Sequence, residues 1–194
     1  MNVAILASGD GSNAENIIRY CHSHKTRLIA KCVITDNSVA GVISRAEELR
    51  TPIHIVPYDI NKKKIENEKT IINILHENKI DLICLAGYMK ILSNNFINMF
   101  NFKIVNIHPS LLPKYSGKSA YERAYHSKDV QSGCTIHYVD TGIDTGPIIF
   151  QESFTKSSTD TLEEFKAKGL KLEHQLYKKF LKYWEQNRYY PQES

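Results

Sequence analysis

In the run FKIVNIHPSLLP, an apolar stretch that reads as a strand ends in Asn106 and His108, two positions apart. On an extended backbone, residues i and i+2 project to the same side. An amide and an imidazole on one face can serve acyl transfer, the amide N–H groups receiving a developing oxyanion while the imidazole moves a proton. Pro109 then fixes the exit of the chain. A purely structural reading is also open, with Asn106 capping a turn and His108 a satisfied core histidine. The loop DTGIDTGP brings Asp140 and Asp144 between two further strand-like runs. A carboxylate beside an imidazole favours its charged form and raises its pKa, although Asp and Gly are also ordinary turn residues. No serine or cysteine is spelled with a partner base, and there is no H-E-x-x-H, no Walker lysine and no clustered His/Cys set. His22, His24, His76 and His126 lie in polar contexts and are expected to be solvated.

A second candidate is SGDGSNAENII, which joins a first strand to a first helix. Gly9 and Gly11 permit positive φ and close backbone approach, and Ser12 and Asn13 are good capping types. Free N–H groups at such a helix start can cradle a phosphate. The spelling also satisfies G-x-G-x-x-A, and Asp36 ends the second strand where a ribose-binding acid of a dinucleotide site would stand. A phosphate site, a dinucleotide site and a plain tight turn all remain open on this motif.

The elements that must position these groups alternate. NVAIL, LIAKCVIT, IHIV, DLICLAG and KIV read as strands. Between them fall helices from about Ser12 to Ser23, over VAGVISRAEEL and over KKKIENEKTIINILHEN. Repeated strand–helix–strand order implies right-handed crossovers and a mostly parallel, Rossmann-like α/β sheet flanked by helices. Ligands bind at the carboxyl ends of such strands, where SGDGSN, AGYMK and NIHPS all fall. GCTIHYVD and GPIIFQESF are expected to extend the sheet in antiparallel or mixed fashion, with Lys114 to Gln131 as a long connection. A last helix from Thr159 to Trp184 opens with a T-x-x-E cap at Thr161 and Glu164. Its packing face is Leu162, Phe165, Gly169, Leu172, Leu176, Phe180 and Trp184.

The chain has 194 residues, 42% hydrophobic and 24% charged, which suits one domain over residues 1–194. Cys21, Cys32, Cys84 and Cys134 form no C-x-x-C pair, so reduced thiols in a cytoplasm are expected and a zinc site is not. The N-terminus does not read as a signal peptide, and no window approaches the roughly 18 apolar residues of a membrane span. The formal charge of +4 is spread among acids. That excludes a dense nucleic-acid patch and suits small anionic ligands.

Taken together, SGDGSN, AGYMKIL, NIHPSLLPKY, DTGIDTGP and LEH at Leu172 to His174 resemble the phosphoribosylglycinamide formyltransferases of purine biosynthesis nearly end to end. The resemblance implies a formyltransferase fold and a co-substrate, 10-formyltetrahydrofolate, whose formyl group passes to the amine of 5′-phosphoribosylglycinamide without a metal. It implies catalytic roles for Asn106, His108 and Asp144. Gly11, Ser12 and Asn13 would bind the substrate phosphate, with Lys171 a candidate to make up for Leu170 there, and Glu173 the ribose. Met89, Lys90, Ile91, Leu92, Asn106 and the run Asp140, Thr141, Gly142, Ile143, Asp144 would form the folate site, with Lys64 reaching the glutamate tail. The N-terminal half would bind the ribonucleotide, the C-terminal half the folate, with the site between. No nucleic acid or membrane is implied, and a homodimer is compatible with it. Three departures stand out. Lys90 replaces a frequent arginine, Leu170 a frequent polar residue near the phosphate, and Ser116, Gly117, Lys118, Ser119 a frequent Pro-Gly-Leu-His. Lys90 keeps the charge but loses the bidentate fork.

Overall fold

The computed structural model describes residues 1–187; residues 188–194 of the span expected for the domain lie outside them. Strands β1 (Asn2–Leu6), β2 (Ile29–Thr35), β3 (Ile53–Ile55), β4 (Leu82–Leu85) and β5 (Ile104–His108) pair in parallel. Strand β6 (Gln131–Tyr138) adds antiparallel to β5, and β7 (Ile148–Thr155) antiparallel to β6. The single seven-stranded sheet runs in the order β3-β2-β1-β4-β5-β6-β7. The α/β class, the parallel first half and the mixed second half are those expected from the sequence.

The central strands are apolar at consecutive positions because both faces are covered. Val3 and Ile5 of β1 face one buried layer with α1 (Ser12–Cys21), α2 (Val42–Glu48) and α6 (Leu162–Asn187). Ala4 and Leu6 face the other, with α3 (Lys64–Glu77) and α4 (Asn94–Met99). Helix α6 lies along the first layer through Phe165, Gly169, Leu176, Phe180 and Trp184, as the three–four spacing predicts, and adds Tyr177 and Leu181. Its cap forms as expected: Thr161 N–H donates to Glu164 at 2.8 Å and Glu164 N–H to the Thr161 hydroxyl at 3.2 Å.

Two short helices were not legible. Helix α4 is six residues long, too short to show a period, and is started by Ser93, whose hydroxyl accepts from Phe96 N–H at 3.2 Å. Helix α5 (Ala120–His126) interrupts the segment expected as a plain connection. Beyond β5, Thr135 of β6 pins the NIHPSLLP loop: its hydroxyl donates to Ser110 C=O at 2.7 Å and accepts from Leu112 N–H at 3.2 Å. The Leu112–Pro113 peptide bond is cis.

Tyr177 carries its hydroxyl through the core to the Leu85 carbonyl at the end of β4, at 2.6 Å, both groups buried. Removing one partner of a buried hydrogen bond leaves the other desolvated and unpaired. Tyr177→Phe is expected to lower the unfolding free energy by about 1–2 kcal/mol, read as a lower urea midpoint; an unchanged midpoint would mean that this bond does not tie α6 to the sheet.

Candidate functional site

Asn106 and His108 project from the same side of β5, as their spacing requires, into a cleft of about 800 Å³ at the carboxyl ends of the parallel strands. Asn106 pairs across the ladder with His137 of β6, and its Nδ2 lies 3.3 Å from His137 Nε2 and 3.5 Å from Asp144 Oδ1. Asp144 Oδ2 faces His108 Nδ1 at 3.2 Å and accepts the Gly117 N–H at 2.8 Å. One carboxylate thus gathers groups from β5, β6, the 139–147 loop and the segment before α5. Asp144 holds this position with φ 56°, a left-handed conformation that Asp tolerates better than most residues. Tyr115, Ser119 and Gly117 of the facing segment also have positive φ, so strained backbone collects on this side of the cleft.

The electrostatics depart from the expectation in one respect. His108 is only 5% exposed, and burial pulls its pKa below the ordinary 6.5, outweighing the Tyr115 carbonyl and the Asp144 charge that push it up. Desolvation wins because an imidazolium loses its hydration on both faces, whereas Asp144 compensates from one edge. Burial also pushes Asp144 up, but the contact with His137, the Gly117 N–H and the charge of His108 together hold it at about 2. His108 Nε2 lies 2.9 Å from the Tyr115 carbonyl, which also accepts from Arg123 at 2.6 Å. Both imidazole nitrogens therefore face acceptors, while the neutral ring has one N–H to offer.

At one end of the cleft are Asn13 of α1, Tyr121 of α5 and Glu173 of α6. Gly11 enters α1 with φ 84°, and a side chain there would run into Val42, so glycine is required; Gly9 is under no such constraint. At the other end, Met89, Ile91 and Ile143 stand 69%, 58% and 57% exposed as apolar lips. With them the lining includes Lys90, Leu92, Asp140, Thr141 and Gly142. The Asp140 carboxylate accepts from Gly142 N–H at 3.1 Å and from Thr145 at 2.8 Å, shaping its own loop. Gly11 and Ser12 lie just behind Asn13 and outside the lining. Lys64 is exposed at the first residue of α3, and Lys171 faces outward on α6; neither lines the cleft.

Asp36 does not stand free for a ribose. Its carboxylate is nearly buried, accepts from the Ser8 hydroxyl and pairs with Lys90 at 3.4 Å, while Lys90 also lies 5.0 Å over the Tyr58 ring. The dinucleotide reading of the glycine turn thereby loses its second anchor. Sequence reasoning missed His137 and Tyr121. The strand alternation marks His137 as an inward residue, but only the antiparallel register puts it beside Asn106. Among the described residues, no three His, Cys, Asp or Glu side chains are grouped to hold a metal ion, and no helix is long and apolar enough to cross a membrane.

Comparison with known proteins adds an independent line. Residues 1–181 match the family described as formyl transferase. The chain is 37% identical to the phosphoribosylglycinamide formyltransferase of Haemophilus influenzae over 96% of its length and 88% of the relative's. It is 38% identical to that of Bacillus subtilis, covering 92% of each. Its fold matches the crystal structure of phosphoribosylglycinamide formyltransferase from Bacillus halodurans with a TM-score of 0.92 at 37% identity, over 97% of each chain.

The balance at His108 is open to direct titration. Its imidazole is expected to titrate below 6.5 by NMR. In Asp144→Asn the midpoint moves lower still, because the imidazolium loses a neighbouring negative charge. A midpoint above 6.5, or a rise in the variant, would mean that pairing rather than burial governs the ring.

Proposed function

The chain belongs to the formyl transferase family, among the phosphoribosylglycinamide formyltransferases, and from that premise we propose how its cleft moves a formyl group from 10-formyltetrahydrofolate to the amine of 5′-phosphoribosylglycinamide. The observation that carries the proposal is the convergence of Asn106, His108 and Asp144 midway along a cleft with polar acceptors at one end and apolar lips at the other.

The substrate amine attacks the formyl carbon directly. As the new C–N bond forms, the carbonyl oxygen becomes an oxyanion, and the Asn106 N–H groups are the donors that receive it. One such donor is worth roughly 3 kcal/mol of barrier. The attacking nitrogen gives up a proton, the folate nitrogen takes one, and the bond between formyl carbon and folate nitrogen breaks. His108 carries that proton, one of its nitrogens turning from its protein acceptor, Tyr115 C=O or Asp144, to the substrates as it does so. Its lowered pKa keeps the imidazole neutral and ready to accept at neutral pH. Once it is an imidazolium, both its N–H groups already have acceptors, Tyr115 C=O and Asp144. Asp144, held at about 2, stays ionised throughout and takes no proton. A proton relay of this kind contributes about 10²- to 10⁴-fold in rate, and holding the two reactants in line supplies more.

The substrates divide along the cleft. The first-turn N–H groups at Gly11, Ser12 and Asn13 suit the phosphate, and Glu173 the ribose, with Lys171 nearby in solvent. The apolar lips Met89, Ile91 and Ile143, with Leu92 and the loop from Asp140 to Asp144, suit the flat folate ring. Lys90 and Lys118 are the cations that line the cleft, and Lys64 lies outside it for a glutamate tail. Both halves of the chain thus contribute to both ends of the cleft, since Glu173 comes from the last helix and Met89 to Leu92 from the loop after β4.

Product folate absorbance, followed with and without the ribonucleotide, tests the reaction. Turnover is expected only with both substrates, and formate release without the amine would sink the proposal. His108→Ala is expected to lower kcat about 10²- to 10⁴-fold while leaving ribonucleotide affinity by calorimetry within a few-fold; near wild-type kcat would remove His108 from the proton path.

A further inference from the structure

The structure assigns a role to Tyr121: we propose that it is a positioning residue that, with Asn13, locks the Glu173 carboxylate so that its unused lone pairs face the cleft and select a vicinal diol. The Tyr121 hydroxyl donates to Glu173 Oε1, and Asn13 Nδ2 donates to Oε2 at 2.5 Å. Each carboxylate oxygen thus spends one lone pair on a protein donor and keeps another.

The surroundings explain why the carboxylate needs holding. Glu173 is 5% exposed, and burial pushes its pKa up, with the two donors opposing that shift. Tyr121 is itself pushed far above the ordinary tyrosine range, first by burial and then by Glu173, so it keeps its proton and remains a donor. The ring is fixed on two sides. It meets Phe165 edge-on at 6.0 Å, and it lies against Gly169 so closely that a methyl group there would overlap it. Gly169 is therefore small to admit this ring.

The corner carries more acceptors than donors. Besides the free lone pairs of Glu173, the Asn13 side-chain oxygen is buried and without a partner among the described residues. A buried acceptor left unpaired costs free energy, so the group that fits must bring hydroxyl or N–H donors. A phosphate offers only acceptors and negative charge and is repelled here. Two adjacent hydroxyls supply two donors at the spacing of a carboxylate. This proposal rests on the ribonucleotide being the acceptor substrate with its ribose at Glu173, and it deepens that reading by naming Tyr121 as what orients the carboxylate.

The test is Tyr121→Phe, which keeps the ring and removes one O–H. Steady-state kinetics would be run with 5′-phosphoribosylglycinamide and with its 2′-deoxyribosyl counterpart. Losing a hydrogen bond to a charged group is expected to raise KM for the ribonucleotide about 10- to 100-fold, with kcat and the folate KM changing little. The preference of the wild type for the ribo over the deoxy substrate shrinks by a similar factor. Gly169→Ala, which pushes the same ring away without altering its hydroxyl, gives the same KM-selective loss. If both variants keep the wild-type ribonucleotide KM and the ribo preference, the positioning role is overturned while the reaction stands. Equal losses in kcat and both KM values, with a lowered melting temperature, would assign Tyr121 to packing alone and overturn it too. A wild type that does not turn over the ribonucleotide removes the premise and the proposal together.

Discussion

The Asp144 carboxylate is the constraint on which the rest of the cleft depends. It touches His108, Asn106 and the Gly117 N–H, and it lies 3.6 Å from His137. These groups come from two strands and a loop separated by up to 38 positions in the chain. A buried carboxylate is costly unless its oxygens are engaged, so the same contacts that keep it ionised also fix the loop that carries it. The left-handed backbone at Asp144 is the local cost of aiming its side chain inward. Because the carboxylate keeps its charge, the imidazole beside it is the one group of the pair whose protonation changes once the carboxylate is ionised.

The sheet makes that gathering possible. Five parallel strands send their carboxyl ends to one edge, but parallel neighbours place their side chains in similar loops and cannot close a site around β5. The switch to antiparallel at β6 puts His137 directly beside Asn106 in the ladder, and the hairpin loop 139–147 then returns over the end of β5. Thr135, two residues before His137, holds the outgoing NIHPSLLP loop by its hydroxyl. The second half of the sheet therefore buttresses Asn106, His108 and Asp144 rather than simply extending the core, while α6 joins the cleft to the hydrophobic layer through Glu173 and Tyr177.

Much of this was legible because it is written in short-range pattern. The two-residue spacing of Asn106 and His108, the Thr161–Glu164 cap and the glycine at Gly11 each follow from local geometry, and each has the structural consequence its pattern implies. What was not legible depends on register or on burial. His137 sits in an alternating strand that would look the same in any register. Tyr121 falls in a seven-residue helix too short to announce its period. Asp36 has the right type and place for a ribose acid, yet a lysine more than fifty positions on neutralises it. The direction of the His108 shift was misjudged for the same reason: a sequence displays the charged neighbour but not the depth of burial that outweighs it.

Glu173 with Asn13 and the Asn106 amide present opposite hydrogen-bonding character to the cleft. Around Glu173 and Asn13 the protein offers acceptors and waits for donors. Around Asn106 it offers N–H groups that lie 3.3–3.5 Å from His137 and Asp144, longer than well-formed hydrogen bonds. Donors in loose contacts can be redirected to a new oxyanion at little cost, whereas donors locked in short bonds could not. Glu173 is thus held firmly by two donors, whereas the Asn106 amide is held lightly. A ribonucleotide anchored at Glu173 would bring its amine to a centre whose donors become fully used only as negative charge develops on the transferring group, and stabilisation gained at that moment accelerates reaction rather than merely tightening binding.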